Sequence, residues 1–337
     1  MTVDLSSLDS AQRLLFAIPL APLQGQRFQP TGFPGLGAST FRSPAGDCLL
    51  VESAQSMANR LEATLWEEGA NDVIAAAQGI SHIRVTRPDG SFLTDTILEA
   101  HRLNSPYLLA GSDTTFLNRL RDELGGLAVG PVDRVKLAST LFKLDVGSLL
   151  HGVFLARKEL AGGRLRLARA LSAFIEADGV RVAASGGVKN DHVNPSGDTK
   201  TGFGNVPFAR DEFTAERISL YANVDLGQIR GYGLPASATR LLLLLSLFKL
   251  RTLVDGGLRL RTACDLGVVS ETILATNIPG FCLPTGPELA SDLRSSIQEC
   301  ASLMQTNTVV FGDALKAVSS DEADGDGETV EAGDAEV

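Results

Sequence analysis

Apolar and polar residues alternate in several short stretches of the chain, and this spacing predicts strands. Residues 13–20 form an apolar run that is stopped by Pro19 and Pro22, which is typical of a first strand. Two further alternating stretches flank a Pro-Asp-Gly turn at residues 88–90, which predicts a hairpin. The pattern predicts strands at residues 13–20, 49–51, 83–87, 92–97, 180–184 and 258–266.

Other stretches repeat their apolar residues every three or four positions, which predicts helices. Ser53 precedes such a stretch and has a side chain suited to capping a helix N-terminus. The pattern predicts helices at residues 54–65, 164–176, 212–223, 235–254 and 288–304. Because strands and helices alternate irregularly around long insertions, the sequence favours an α+β fold over a parallel doubly wound sheet.

Residues 185–210 are predicted to be the longest irregular segment. They contain five glycines and two prolines and show little apolar periodicity. Irregular segments of this length inside a compact chain are usually functional or flexible. We expect this one to be mobile in the isolated protein, and its donors Lys189, Asn190, His192 and Lys200 to contact a phosphate backbone; simple solvation of these side chains is the alternative.

The segment QGQRFQPTGFPGLG at residues 24–37 follows the first predicted strand and is rich in hydrogen-bond donors. Gln24, Gln26, Arg27 and Gln29 surround Phe28, and donors beside an exposed ring are typical of a surface that contacts phosphates and bases. The alternative is a proline-stiffened loop in which Phe28 and Phe33 are buried.

Arginines elsewhere allow two interpretations. Arg259 and Arg261 alternate with leucines and would project from one sheet face, either towards RNA or into a salt-bridged edge. Arg164, Arg166 and Arg169 are interpreted as the solvated face of a helix.

The charge of the chain is unevenly distributed. Its 337 residues carry a formal net charge of −10, but eight acidic residues and no basic one lie between Asp321 and Glu336. The rest of the chain has 32 acidic against 30 basic residues, so the low pI does not exclude a nucleic-acid partner. We expect residues 319–337 to be a disordered acidic tail behind a folded unit of residues 1–318.

Composition and motifs argue against several classes of protein. A hydrophobic content of 44% is ordinary for a globular chain, and no apolar run is long enough to span a membrane. The N-terminus lacks the features of a secretory signal, and the four scattered cysteines are expected to be buried thiols of a cytoplasmic protein. The motifs of P-loop, α/β-hydrolase and HExxH metalloenzymes are missing, and the adjacent Asp191 and His192 have no evident nucleophile, so no metal, cofactor or catalytic residue is assigned.

Four long segments together resemble a known family. They are QGQRFQPTGFPGLG, VESAQSMANRLE, ASGGVKNDHVNPSGDTKTGFGNVPF and GLRLRTACDL, and the similarity extends over most of residues 11–312. The family is the repeated backbone subunit of type I-G (formerly I-U) CRISPR effector complexes, within the RAMP superfamily. The resemblance implies an RRM-like (ferredoxin-like) palm with large insertions, one of which, here residues 185–210, acts as a thumb.

The resemblance also implies partners and a role. Copies of such a subunit stack along the CRISPR guide RNA and support recognition of target DNA. Other partners would be a large subunit, a guide-processing or end-cap subunit and a helicase-nuclease recruited after target binding. Arg60 and Lys143 complete the candidate RNA-binding residues. Related subunits that cut target RNA carry an aspartate after the first strand, but residues 21–45 contain no acidic residue, so we expect no nuclease activity. The alternatives are a guide-processing endoribonuclease of the same superfamily and a scaffold that assembles without RNA.

Overall fold

A seven-stranded antiparallel sheet forms the centre of the protein. The computed structural model describes residues 2–33, 37–44 and 46–315. The strands are β1 (Leu14–Pro22), β2 (Gly32–Phe33), β3 (Gly37–Ala38), β4 (Thr40–Ser43), β5 (Gly46–Glu52), β6 (Trp66–Glu67), β7 (Asp72–Val73), β8 (His82–Thr86), β9 (Phe92–Asp95), β10 (Val153–Leu155), β11 (Leu165–Leu167), β12 (Leu171–Asp178), β13 (Arg181–Lys189), β14 (Val206–Thr214), β15 (Arg217–Val224), β16 (Leu258–Arg261), β17 (Cys264–Val268) and β18 (Thr306–Val310). The helices are α1 (Ala54–Ala63), α2 (Pro106–Leu109), α3 (Thr115–Glu123), α4 (Arg134–Leu144), α5 (Gly147–His151), α6 (Leu226–Arg230), α7 (Ala236–Asp255) and α8 (Gly286–Glu299).

The strand order of the central sheet is β16-β17-β1-β15-β12-β5-β4, and strand β1 within it shows how the core is built. Its alternate residues Leu14, Phe16, Ile18 and Leu20 are buried, as expected when one face of a strand packs on a core. Helices α1 and α7 pack against each other beneath the sheet, and α8 packs on α7. The result is a mixed α and β fold with one contiguous hydrophobic core.

The sheet curls strongly. Strands β16 and β5 are separated by four other strands in the sheet, yet Arg261 of β16 donates a hydrogen bond of 2.5 Å to Glu52 at the end of β5. This contact requires the two sides of the sheet to approach each other around α1. The curl therefore creates a polar cluster where two distant parts of the chain meet.

The structure confirms several predicted elements. The first strand, the capped helix after Ser53, the hairpin around residues 88–90 and the helices α7 and α8 are present. The predicted strand at 258–266 is two strands, β16 and β17, joined by a turn. Three of the four cysteines are buried as predicted, but Cys282 is exposed.

Two predicted helices are wrong. Residues 164–176 form β11 and the start of β12, and residues 212–223 belong to β14 and β15. In β12 every second residue from Leu171 to Ala177 is buried, which is the periodicity of a strand. Both segments contain good helix formers. However, β12 pairs with β5 on one side and with β15 on the other, and this pairing outweighs the local preference.

The predicted acidic tail, residues 319–337, lies outside the described residues. None of the helices in the described ranges is long and apolar enough to span a membrane.

Beneath the sheet lies a group of buried charged side chains. Glu62 and Arg102 form an ion pair that is almost fully buried, and the Lys249 ammonium lies 3.0 Å from the His151 imidazole. Burial raises the pKa of Asp145 to about 6 and lowers the pKa of Lys249 to about 8. These groups therefore make the free energy of unfolding depend on pH.

Replacing Asp145 with Asn is expected to remove one part of that dependence. The folded protein binds the Asp145 proton more tightly than the unfolded chain, so between pH 3.8 and about 6 the wild type loses stability as the pH rises. Relative to wild type, Asp145→Asn should gain roughly 2 to 3 kcal/mol in free energy of unfolding between pH 3.5 and pH 7. Urea denaturation at a series of pH values measures this difference, and a constant difference would contradict the assignment.

Candidate nucleic-acid interface

The loop after β1 presents polar side chains to solvent while its aromatic residue faces the core. Gln24, Gln26 and Arg27 are exposed, but Phe28 is only 1% exposed. The Phe28 amide donates to the Phe213 carbonyl, and the Phe213 amide donates back. Phe28 therefore ties the loop to β14 and cannot stack on a base, which corrects the interpretation of this ring as part of an exposed surface.

Arg27 lies beside a buried carboxylate that a second arginine also contacts. Its Nε is 3.6 Å from the Glu212 carboxylate, to which Arg210 donates a hydrogen bond of 3.1 Å. The Glu212 side chain is 8% exposed and that of Arg27 is 54% exposed. Two guanidinium groups on one carboxylate leave a net positive charge, and most of the Arg27 side chain faces solvent. Arg27 is therefore placed to bind an anion.

Buried Glu52 organises a second cluster. Its carboxylate accepts hydrogen bonds from Arg261 and Thr31 and from the Ser56 hydroxyl at the start of α1. The Nε of Arg60, on the same helix, is 3.7 Å from the Glu52 carboxylate. One carboxylate thus holds side chains from three separate segments of the chain.

The same cluster is fastened by backbone carbonyls. Arg261 donates to the Gln29 carbonyl at 2.8 Å, and Arg60 donates to the Leu260 carbonyl at 2.8 Å and to the Arg259 carbonyl at 3.4 Å. The structure therefore brings together four predicted residues: Gln29, Arg60, Arg259 and Arg261. Arg261 uses its donors internally, so its main role is to join the loop after β1 to β5.

Arg259 differs from its neighbours in having an available side chain. It is exposed, and within residues 2–33, 37–44 and 46–315 its guanidinium makes no hydrogen bond or ion pair. Arg60 and Arg261 carry two positive charges against the single carboxylate of Glu52, and Arg259, whose carbonyl accepts a hydrogen bond from Arg60, adds a third. Together with the Arg27, Arg210 and Glu212 group, they form a basic surface that we call the loop cluster.

Lys143 does not join this surface. It lies on α4, where its ammonium is 3.0 Å from Glu123 and its carbonyl accepts a hydrogen bond from the Gln305 amide. These contacts connect α4 to α3 and to the segment before β18. Lys143 therefore holds parts of the fold together and lies outside the candidate interface.

Residues 185–210 are more regular than predicted. Strands β13 and β14 pair over nine residues each, from Arg181 opposite Thr214 to Lys189 opposite Val206, and only residues 190–205 at the tip are irregular. Glycine has a packing role here, because a Cβ on Gly186 would lie 2.6 Å from the Phe208 carbonyl oxygen. The prediction that glycine and proline prevent a regular element in this segment is therefore wrong outside the tip.

The paired strands form an arm that projects from the sheet. Most side chains of β13 and β14 are exposed or half-buried, and Glu212 and Phe213 at the base are the buried ones. Four apolar side chains of the arm are exposed, namely those of Val182, Val188, Val193 and Phe203. The predicted donors Lys189, Asn190, His192 and Lys200 are all exposed at or beside the tip.

Asp191 organises the tip. Its carboxylate accepts hydrogen bonds from the amides of Val193, Asn194 and Gly204, and these bonds lower its pKa. The carboxylate is thus engaged by backbone amides rather than by His192, which argues against an acid–imidazole pair. In the described part of the chain, no group of three or more His, Cys, Asp or Glu side chains is arranged to hold a metal ion.

Sequence reasoning missed several basic residues of the structure. Arg210 lies in a segment that the sequence predicts to be irregular, and the predicted helix at residues 164–176 contains Arg164, Arg166 and Arg169. The alternation Arg-Leu-Arg-Leu at residues 164–167 is the strand signal that would have placed them.

A search of curated proteins finds no match. Among solved structures, one similar chain belongs to a "CRISPR RNA-guided surveillance complex, pre-nicking", with 16% identity, a TM-score of 0.37 and coverage of 77% of this chain and 76% of that one. Another is Csc2 from Thermofilum pendens, with 10% identity, a TM-score of 0.32 and coverage of 89% and 80%. These scores are too low to assign a fold or function by analogy.

A family model gives a direct assignment. The model described as "CRISPR-associated protein GSU0053" matches residues 14–182, which is half of the chain and includes β1, the loop after it, β5, α1 and β12. These elements carry Arg27, Glu52 and Arg60 of the loop cluster. The chain therefore belongs to the CRISPR-associated protein GSU0053 family.

Proposed function

We propose that this protein is the non-catalytic, guide-RNA-binding backbone subunit of a type I-G CRISPR effector complex. The observation that carries the proposal is the loop cluster, in which four arginines contact two buried carboxylates and a fifth, Arg259, is exposed beside them, on a member of a CRISPR-associated family. Arginine forks suit phosphate oxygens and need no base-specific contact. Such a surface holds a guide of any sequence, while base pairing by the guide supplies specificity.

The strand order supports an RRM-like palm. The four strands β17-β1-β15-β12 are neighbours and antiparallel, with α1 between β1 and β12 in the chain and α7 between β15 and β17. This is the order of a split βαβ arrangement, in which each crossover carries a helix. We assign these strands and the two helices as the palm.

The arm is our candidate for the thumb. It projects from the palm and exposes apolar residues that a single copy leaves uncovered. A neighbouring copy on the same guide would bury them. In this role the protein contacts guide RNA, target DNA and further copies of itself in the cytoplasm. The large subunit, the guide-processing or end-cap subunit and a helicase-nuclease complete the proposed set of partners.

The rival function, guide processing, requires a histidine positioned for general base catalysis. His82 is buried and bound to Asp95 at 2.7 Å, and His151 is buried beside Lys249. His101 and His192 are exposed, and neither ring makes a hydrogen bond or ion pair with any residue that the structure describes. The described geometry therefore favours binding over cleavage.

Native mass spectrometry tests the proposal. The purified protein is mixed with guide RNAs whose spacers increase in length, and the number of bound copies should rise in regular steps. Unchanged assemblies after nuclease treatment would instead support a scaffold that is indifferent to RNA, and defined cleavage of repeat RNA would support the endoribonuclease.

Arg27→Ala is expected to weaken guide binding equally for different spacer sequences. Loss of one phosphate contact lowers the slope of log affinity against log salt by about 0.7 for a single strand. Fluorescence anisotropy at several salt concentrations measures both quantities. Arg294→Ala is the matched control, because Arg294 is exposed on α8 and outside the loop cluster. An unchanged slope for Arg27→Ala would remove this residue from the site.

A further inference from the structure

Two adjoining cavities lie away from the loop cluster, at the end of the sheet where β1 begins. Their volumes are about 600 Å³ and 520 Å³, and both are lined by Arg166, Leu167 and Ala168. Six arginines line one or both of them: Arg13, Arg102, Arg134, Arg164, Arg166 and Arg169. We call this surface the arginine groove.

The positive charge of the groove is largely uncompensated. Among the described residues that line either cavity, Asp225 is the only one with a carboxylate, and Arg13 pairs with it at 2.6 Å. The charge of Arg102 is neutralised by its buried ion pair with Glu62. Arg134 and Arg166 are exposed, and neither forms a hydrogen bond or ion pair with any residue that the structure describes. The groove therefore has free guanidinium groups and an excess of positive charge.

Buried groups around the first cavity show the same excess. His151 lines it and is 1% exposed, yet its Nδ1 atom has no hydrogen-bond partner among the described residues. Burial and the charge of Arg102 lower the pKa of Arg169, and Glu62 only partly opposes this shift. A bound anion would relieve this repulsion.

Helix α1 connects the groove to the loop cluster. Arg169 donates a hydrogen bond to the Gln55 side-chain oxygen, and Gln55 donates to Asn59 at 3.0 Å. Asn59 is exposed and precedes Arg60, which belongs to the loop cluster. From Gln55 to Arg60 the helix rises about 7.5 Å. Polar and basic side chains thus continue from one surface to the other.

We propose that the arginine groove binds the phosphodiester backbone of single-stranded nucleic acid and continues the track that begins at the loop cluster. The identity of the strand as guide RNA rests on the proposed function. Guanidinium forks bind phosphate oxygens in pairs, so arginine is suited to this contact where lysine would act only as a point charge. The free side chains of Arg134 and Arg166 make the contacts, and Arg13, Arg164 and Arg169 shape the groove.

The test compares Arg134→Ala/Arg166→Ala with wild type in the full-length protein. Both residues are exposed, so the fold should be retained, which circular dichroism and thermal denaturation check. Anisotropy is measured with labelled guide RNA and with single-stranded DNA of the same sequence, from 50 mM to 500 mM salt. The control is Arg294→Ala, whose residue lines neither cavity. The salt slope for guide RNA should fall by about 1.4, at about 0.7 for each lost contact, and affinity near 150 mM salt should fall roughly tenfold.

The outcomes separate this proposal from the proposed function. Wild-type affinity and slope in the double variant would overturn the groove assignment while leaving guide binding intact. Failure of the wild type to bind guide RNA would overturn both. Loss confined to single-stranded DNA would assign the groove to the target strand and overturn its assignment to the guide. Competition by poly-glutamate but not by RNA would overturn the proposal in favour of an acidic protein partner.

Discussion

Replacing residues 190–205 with a short Gly/Ser linker is expected to leave the sheet folded and to abolish regular assembly along guide RNA. The strands β13 and β14 on either side stay paired to each other, so the core of the protein is unaffected. The tip itself contributes exposed side chains that contact little of their own subunit. Native mass spectrometry should show that multi-copy complexes on a long guide are lost, while binding of a single copy to a short RNA is retained.

A smaller change tests the same point without altering the length of the arm. Asp191→Ala removes the acceptor that orders three amides of the tip, so assembly should weaken. Asp89→Ala is its control, because Asp89 accepts the Ser91 amide in the same way on an unrelated hairpin. Full-length complexes with the shortened arm would show that the tip is not the thumb.

The elements that could be predicted from sequence are those whose buried residues are evident from the spacing of apolar residues within the element itself. Helix α7 is apolar over most of its 20 residues and is buried almost all round, so its length and composition suffice. Helix α1 is predicted by the capping residue Ser53 and by the helical spacing of the apolar residues that follow it. These signals lie within a few residues of each other in the chain.

Apart from the alternation at residues 164–167, segments 164–176 and 212–223 could not be placed in the same way. Their residues are compatible with helices, and their strand character follows from pairing with partners far away in the chain. Strand β12, for example, pairs with β5, which lies more than a hundred residues earlier. Non-local pairing of this kind decides the outcome but leaves only a weak local signal.

The candidate site likewise has features that could be predicted from sequence and others that could not. The donor-rich loop and the alternating arginines of β16 could be recognised as polar surface, but their partners could not. Arg261 lies 209 residues from Glu52 in the chain, and the curl of the sheet brings them together. Burial of Phe28 likewise follows from its backbone pairing with Phe213 at the base of the arm. The arrangement of charges therefore emerged only from the structure.

Glu52 is the residue on which this arrangement depends most. It is 1% exposed, and its carboxylate contacts arginines on α1 and β16 as well as Thr31. Glu52→Gln keeps the shape of the side chain but removes its charge, leaving two partly buried guanidinium groups without a counter-ion. Breaking buried ion pairs in this way costs about 3 to 5 kcal/mol, and partial exposure of the arginines places the expected loss near the lower end.

Urea denaturation of Glu52→Gln measures this loss in free energy of unfolding. Asp47→Asn is the matched control, because Asp47 pairs with Arg42 on an exposed strand pair, and such surface pairs contribute about 0 to 1 kcal/mol. Glu52→Gln/Arg261→Met should recover part of the stability, since it removes one of the uncompensated charges. A loss below about 1 kcal/mol in the single variant would show that solvent already screens the cluster.

The same variant should also bind guide RNA less tightly, although Glu52 carries the wrong charge to contact a phosphate. Removing an acidic residue from a basic surface would strengthen RNA binding if net charge alone decided affinity. We expect the opposite, because Glu52 holds Arg60 and Arg261, and through Arg261 the Gln29 carbonyl, in place. A weaker affinity in Glu52→Gln, measured at a temperature where the protein is folded, would show that the surface works through the positions of its arginines; a stronger affinity would show that their charge is sufficient.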